Sequence, residues 1–119
     1  MTRPWLLIET ATSQALVGLA DADGALVGSE AWHSSHRHGE ELLARLDALL
    51  VAAAIGRRDL GGVAVGTGPG SFTGLRIGLA TAKTIAFSLG VPIVGLPTMA
   101  SLALSAGDGE WSVALPAGV

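Results

Sequence analysis

The chain has 119 residues, half of them hydrophobic and only 14% charged, with a net charge of −3 and no cysteine. That length suits one domain or one lobe of a larger protein, and the lack of cysteine excludes disulfides and thiolate metal sites. A net negative charge, 4% aromatic residues and no tyrosine exclude a global basic footprint and base-stacking platforms for nucleic acid, so any service to RNA runs through a partner.

Trp5-Leu6-Leu7-Ile8 is an unbroken apolar run, the pattern of a strand buried on both faces. Residues 9–13 (Glu-Thr-Ala-Thr-Ser) are polar and turn-like, and residues 15–20 resume as a second strand. Asp21-Ala22-Asp23-Gly24 is a hairpin turn, because Asp and Gly tolerate the backbone angles it needs. A third strand at 25–32 completes an antiparallel meander.

After a polar connection at 33–39, a helix starts near Glu40, with Glu40 and Glu41 in the first turn where the helix dipole favours acids. Leu42, Leu43, Leu46, Leu49, Leu50 and Ala53 share one face. Glu41 and Arg45 are spaced for an i,i+4 pair, and Gly56 is placed as the C-cap. Residues 60–65 form a fourth strand. Gly66 to Gly78 then reads Gly-Thr-Gly-Pro-Gly-Ser-Phe-Thr-Gly-Leu-Arg-Ile-Gly and leads into a helix over 75–89. Leu75, Gly78, Leu79, Ala82, Ile85, Ala86 and Leu89 make its apolar stripe, many of them small enough for another helix to approach. Arg76 and Lys83 share the other side.

Gly90 stops that helix, residues 91–95 form a fifth strand, and a third helix runs from Pro97 to about Ala106. A last strand at 111–115 has nothing after it to pair or cover it, which suggests that the chain ends inside a longer fold. The order βββαβαβα predicts an α/β mixed sheet with packed helices. The mean hydropathy of +0.54 points to a surface covered by a partner or a further lobe. No stretch is long and apolar enough to span a bilayer, and residues 1–20 lack the order of a signal peptide.

The glycine stretch fits no familiar nucleotide loop. It lacks the Lys of a P-loop, the third Gly of a dinucleotide loop is replaced by Ser71, and Ser71 lies one position early for a nucleophile elbow. Two readings remain. Backbone N–H groups from Ser71 to Leu75 could hold an anion or a partner carbonyl, or the loop is a tight turn with Ser71 or Thr73 as N-cap. Glu9 could orient a metal–phosphate, or its turn satisfies its own backbone. His33, His36 and His38 fit zinc by type, but their offsets on a loop read as a solvated segment. No Ser/His/Asp triad is spaced for catalysis.

The glycine stretch, followed by Ala80-Thr81-Ala82-Lys83, resembles the hallmark of the TsaB (YeaZ) family. Leu7-Ile8-Glu9-Thr10-Ala11-Thr12 looks like that family's opening strand and turn, and His38-Gly39-Glu40-Glu41-Leu42-Leu43 like its helix start. Gly90-Val91-Pro92-Ile93-Val94-Gly95 and Pro97-Thr98 look like its next strand and helix, so the resemblance runs from Leu6 to Leu104. It departs at Glu9, where the family usually has Asp, and the histidines do not form the His-x3-His pair of the catalytic relative.

The resemblance implies an actin/sugar-kinase/Hsp70-like (RNase H-like) fold, with residues 1–106 as the N-terminal lobe and 107–119 as the start of a second. It implies a non-catalytic, dimerising subunit for making N6-threonylcarbamoyladenosine at position 37 of tRNAs that read ANN codons. The catalytic partner would be TsaD, joined by the ATPase TsaE, with tRNA, ATP and magnesium handled by the complex in the cytoplasm. A homodimer is a further assembly that the resemblance allows. The pairing helices put Leu42, Leu46, Leu75, Arg76, Leu79, Ala82 and Lys83 at the interface, with no catalytic or metal-binding residue. The alternative is an ATP-binding phosphotransferase or ATPase of the same fold, with Glu9, Thr12, Gly68, Gly70, Ser71 and Thr73 around the ligand.

Overall fold

Five strands form one mixed sheet in the order β3-β2-β1-β4-β5 in the computed structural model, which describes residues 3–21, 25–33 and 38–98. The meander is β1 (Trp5–Glu9), β2 (Gln14–Ala20) and β3 (Leu26–His33), antiparallel throughout. β4 (Gly62–Gly66) then joins β1 in parallel, and β5 (Ile93–Leu96) joins β4 in parallel. The parallel pairs need crossovers. Helix α1 (His38–Ala52) lies in the connection from β3 to β4, and helix α2 (Phe72–Leu89) in that from β4 to β5.

Because side chains alternate along a strand, Leu6, Ile8, Val17, Leu19, Val63 and Val65 share one face, and both helices cover it. α1 lies over β2 and β3 and supplies Leu42, Leu46, Leu49 and Leu50; α2 lies over β4 and β1 and supplies Ala82, Ile85 and Ala86. Each buried leucine is worth roughly 1.5–3 kcal/mol over its exposed state. On the opposite face Leu7, Leu16 and Ala64 are buried with Trp5 and Leu96 packed beside them. Burial on both faces explains why the central strands read as continuous apolar runs.

The helix ends follow backbone chemistry. Gly90 closes α2 at φ 68°, a left-handed angle that favours glycine, and its N–H reaches Ala86 O and Phe87 O. α1 ends differently from the expectation. Ala54, at φ 55°, takes the left-handed position, with Ala54 N–H donating to Val51 O and Ile55 N–H to Leu50 O. This is a Schellman closure with alanine where glycine is usual. Gly56 instead precedes a 3-10 turn at Arg57–Asp59 and donates its N–H to the Asp59 carboxylate at 2.9 Å.

Smaller boundaries also move. β1 includes Glu9, β4 begins at Gly62 after Leu60 caps the 3-10 turn and Gly61 N–H donates to Pro4 O, and β5 begins at Ile93. Leu43, on the expected apolar face of α1, is 47% exposed. Arg45 reaches across to Glu30 of β3 at 2.7 Å, with its guanidinium 5.5 Å from the Trp32 ring centre. The expected strand at 111–115, the helix beyond Thr98 and the second-lobe segment 107–119 lie outside the described residues, as does the centre of the turn after Asp21. Among the described residues no helix is long and apolar enough to cross a membrane.

Candidate functional site

The glycine loop leaves β4 at Gly66 and enters α2 at Phe72. Gly66, Gly70, Gly74 and Gly78 recur every fourth residue, and between them they abut Glu9, Thr10 and Ala11. A Cβ on Gly66 would overlap the Glu9 carboxylate, one on Gly70 the Ala11 carbonyl, one on Gly74 the Thr10 carbonyl and one on Gly78 the Thr10 hydroxyl. The motif is therefore a groove without side chains, and the end of β1 fills it.

Several backbone donors of the loop are bonded within the chain. Thr67 N–H donates to Leu96 O at 2.7 Å, and Gly68 N–H to the Thr98 hydroxyl at 3.0 Å. Ser71 N–H donates to Ala11 O at 2.6 Å, and Leu75 N–H to Ser71 O at 2.9 Å. Ser71 is the N-cap of α2, its hydroxyl accepting from Gly74 N–H at 3.2 Å. Of the two N-cap candidates in the sequence, Ser71 holds the position.

The expected ligand residues divide accordingly. Glu9, Gly70 and Ser71 converge, but around Ala11 rather than around an open cavity. The Glu9 carboxylate is 0% exposed and accepts Ala11 N–H at 2.9 Å. Gly68, at φ 93°, turns toward Thr98. The Thr12 hydroxyl donates to Gln14 O at 2.9 Å within its own turn, and Thr73 is exposed in the first turn of α2. Of the expected anion cradle from Ser71 to Leu75, the N–H groups of Ser71, Gly74 and Leu75 are bonded within the chain. His33 is exposed at the end of β3, and His36 lies outside the described residues. No group of metal-ligating side chains occurs among the described residues.

The expected interface residues divide too. Leu42, Leu46 and Ala82 are each 0% exposed and spent in this chain's own core, so their side chains are withdrawn from any partner. The cause is the sheet. Most of the apolar stripe that the sequence displays on each helix is covered by the strands, with Leu43 and Leu79 left at its exposed edge. Leu75 is half-buried, while Arg76, Leu79 and Lys83 are exposed.

Sequence reasoning missed Phe72, which is 72% exposed at the start of α2. Phe72, Arg76, Leu79 and Lys83 are spaced by four, three and four residues, one exposed helix face that flanks the buried stripe, so the signal was in the spacing. The Arg76 guanidinium lies 5.5 Å from the Phe72 ring centre. α2 contains no Asp or Glu, and neither Arg76 nor Lys83 forms an ion pair among the described residues, whereas Arg45 and Arg57 pair with Glu30 and Asp47. What the arrangement offers chemically is an apolar, cationic helix face on a base locked by the β1 turn.

Residues 32–118 match the family described as TsaD: tRNA N6-adenosine threonylcarbamoyltransferase. The tRNA threonylcarbamoyladenosine biosynthesis protein TsaB of Escherichia coli is 33% identical over 106 residues, 89% of this chain and 43% of that protein. An uncharacterized protein of Mycobacterium tuberculosis is 38% identical over 92 residues, 76% of this chain and 44% of the relative. Among solved structures, YeaZ from Pseudomonas aeruginosa superposes with a TM-score of 0.75 at 30% identity, covering 85% of this chain and 46% of YeaZ. The chain thus spans less than half the length of each of these relatives.

Proposed function

The chain belongs to the TsaD family, in its TsaB (YeaZ) group, and from that membership we propose that it is a docking and activating subunit in the synthesis of N6-threonylcarbamoyladenosine in tRNA. Its partner is a TsaD-like catalytic subunit, which carries the transfer chemistry. A TsaE-like ATPase joins the pair, and ATP, magnesium and tRNA are handled by the complex. The cytoplasm, where tRNA is modified, is the expected location.

One observation carries this reading. The loop that would hold a ligand is filled by residues 9–11 of the same chain, while the outer face of α2 keeps its cations and aromatic ring open. A surface of that kind favours macromolecular contact, since aromatic and arginine side chains dominate interface energetics. A phosphotransferase needs a carboxylate that reaches solvent-borne metal and amides free to hold phosphate. Glu9 is fully buried and the amides of Ser71, Gly74 and Leu75 are bonded, so the phosphotransferase reading draws no support here.

Co-purification with a bacterial TsaD tests the reading. The wild-type chain should retain TsaD, and Leu79→Glu should release it, because a carboxylate replaces an exposed apolar residue between Arg76 and Lys83. Retention unaffected by Leu79→Glu would remove α2 from the interface.

A further inference from the structure

We propose that the outer edge of β5 takes up a short extended segment of a partner protein as a sixth strand. One apolar side chain of that segment enters the cavity between β5 and the C-terminal end of α2, and a carboxylate two residues away meets Lys83. This site goes beyond the TsaD-like contact and does not depend on it. β5 ends the sheet on one side, and no strand lies beyond it among the described residues. Pro92 O accepts Val63 N–H at 2.9 Å and Leu96 O accepts Thr67 N–H at 2.7 Å, so both carbonyls face β4. The alternation of a parallel ladder then turns the N–H and C=O of Ile93 and Gly95 outward. The outward series stops on either side. Val91 N–H is spent on Ala86 O at 3.0 Å, and Pro97 has no N–H to give. The edge therefore offers two residues with donor and acceptor both aimed at a visiting strand.

The side chains around that edge suit strand addition, in which backbone bonds give affinity and pockets for alternate side chains give specificity. Ile93 pairs with Val63 on the helix-covered face and Val94 with Ala64 on the opposite face, and both are exposed. A cavity of about 320 Å³ adjoins Ile93, lined by the side chains of Lys83, Ala86, Phe87, Val91 and Pro92. Phe87 is 86% exposed, an apolar wall that this chain leaves uncovered. The bonds of Gly90 and Val91 to Ala86 O hold the turn from α2 to β5, so the cavity is set before a partner arrives. Charge selects the occupant. Lys83 is the charged side chain in the lining, α2 has no acid, and Lys83 forms no ion pair among the described residues, so an acidic visitor is favoured. Residues two apart on a strand share a face, which puts the carboxylate and the apolar anchor on the same side. A second copy is disfavoured. Two β5 edges paired antiparallel about Val94 would set Gly95 against Ile93 and send no side chain into the cavity.

The test uses the full chain and a blocked pentapeptide, Glu-Val-Leu-Val-Glu, which presents the same pattern in either direction. In NMR titrations it should shift the amide signals of Lys83, Phe87, Ile93 and Gly95 saturably. The Ile93 and Gly95 amides should exchange with solvent quickly in the free chain and slowly in the complex, while Val94 and Leu96 stay protected throughout. Lys-Val-Leu-Val-Lys should bind severalfold more weakly, and Lys83→Glu should reverse that ranking. An analogue with N-methyl groups on its three central amides should not bind. Shifts confined to other residues, full binding of the N-methylated analogue, or a ranking that Lys83→Glu leaves unchanged each overturns the proposal. So does the absence of binding. If the peptide binds only to Trp111→Ala, the chain's own residues 110–115, which read Glu-Trp-Ser-Val-Ala-Leu, are the occupant and the external partner is overturned. A homodimer in sedimentation equilibrium that Phe87→Glu dissociates would make a second copy the occupant, with the same consequence.

Discussion

The hydroxyl of Thr10 donates to the carbonyl of Gly74 at 2.6 Å, joining the end of β1 to the first turn of α2 across 64 residues of sequence. The Thr10 carbonyl lies against the Cα of Gly74, and the Thr10 hydroxyl against Gly78. One threonine therefore sets both the distance and the rotation of the helix that carries Phe72, Arg76 and Leu79.

Thr10→Val keeps the shape and removes the donor, and Thr10 is buried. It should destabilise the fold by about 1 kcal/mol in urea unfolding, while Thr10→Ser stays near wild type. Equal losses in both variants would assign the effect to packing instead.

Gly74→Ala should cost more, about 1–3 kcal/mol or beyond, because its Cβ meets the Thr10 carbonyl, which is backbone and cannot swing aside. Gly39→Ala in α1 is the control. A Cβ there has open space around it, and alanine favours helix, so melting should be unchanged or raised.

The two left-handed helix ends predict opposite signs. Ala54→Gly should stabilise by about 0.5 kcal/mol, since glycine relieves the strain at φ 55° but adds entropy to the unfolded chain. Gly90→Ala should destabilise by about 1 kcal/mol through backbone strain alone, because no atom lies within 4 Å of the added Cβ. Thermal melts of the pair check both.

Calorimetry with ATP and magnesium should give no binding heat with this chain. Glu9 is sealed from solvent, and the Ser71 and Gly74 amides are occupied. Saturable heat that Glu9→Gln removes would restore the phosphotransferase reading.

Much of the fold was legible because its signals are local. Apolar runs, helical spacing, the Ser71 cap and the Gly90 stop each depend on residues a few positions apart, and strand and helix order follows from them. The glycine stretch also identified itself, since its length and composition carry the family resemblance. The end of α1 was misplaced because glycine is the usual left-handed residue, and here the packing of Leu50 and Ile55 holds alanine in that angle instead.

Tertiary structure alone decided what the glycines face and which side of each helix is free. Four glycines in a row of fours look the same in sequence whether they cradle a phosphate or a turn of chain. Only the arrival of Glu9, Thr10 and Ala11 from β1 settles it. An apolar helix stripe likewise does not say whether a sheet or a partner covers it. The sheet takes Leu42, Leu46 and Ala82, and so leaves Phe72, Arg76 and Leu79 to the outside.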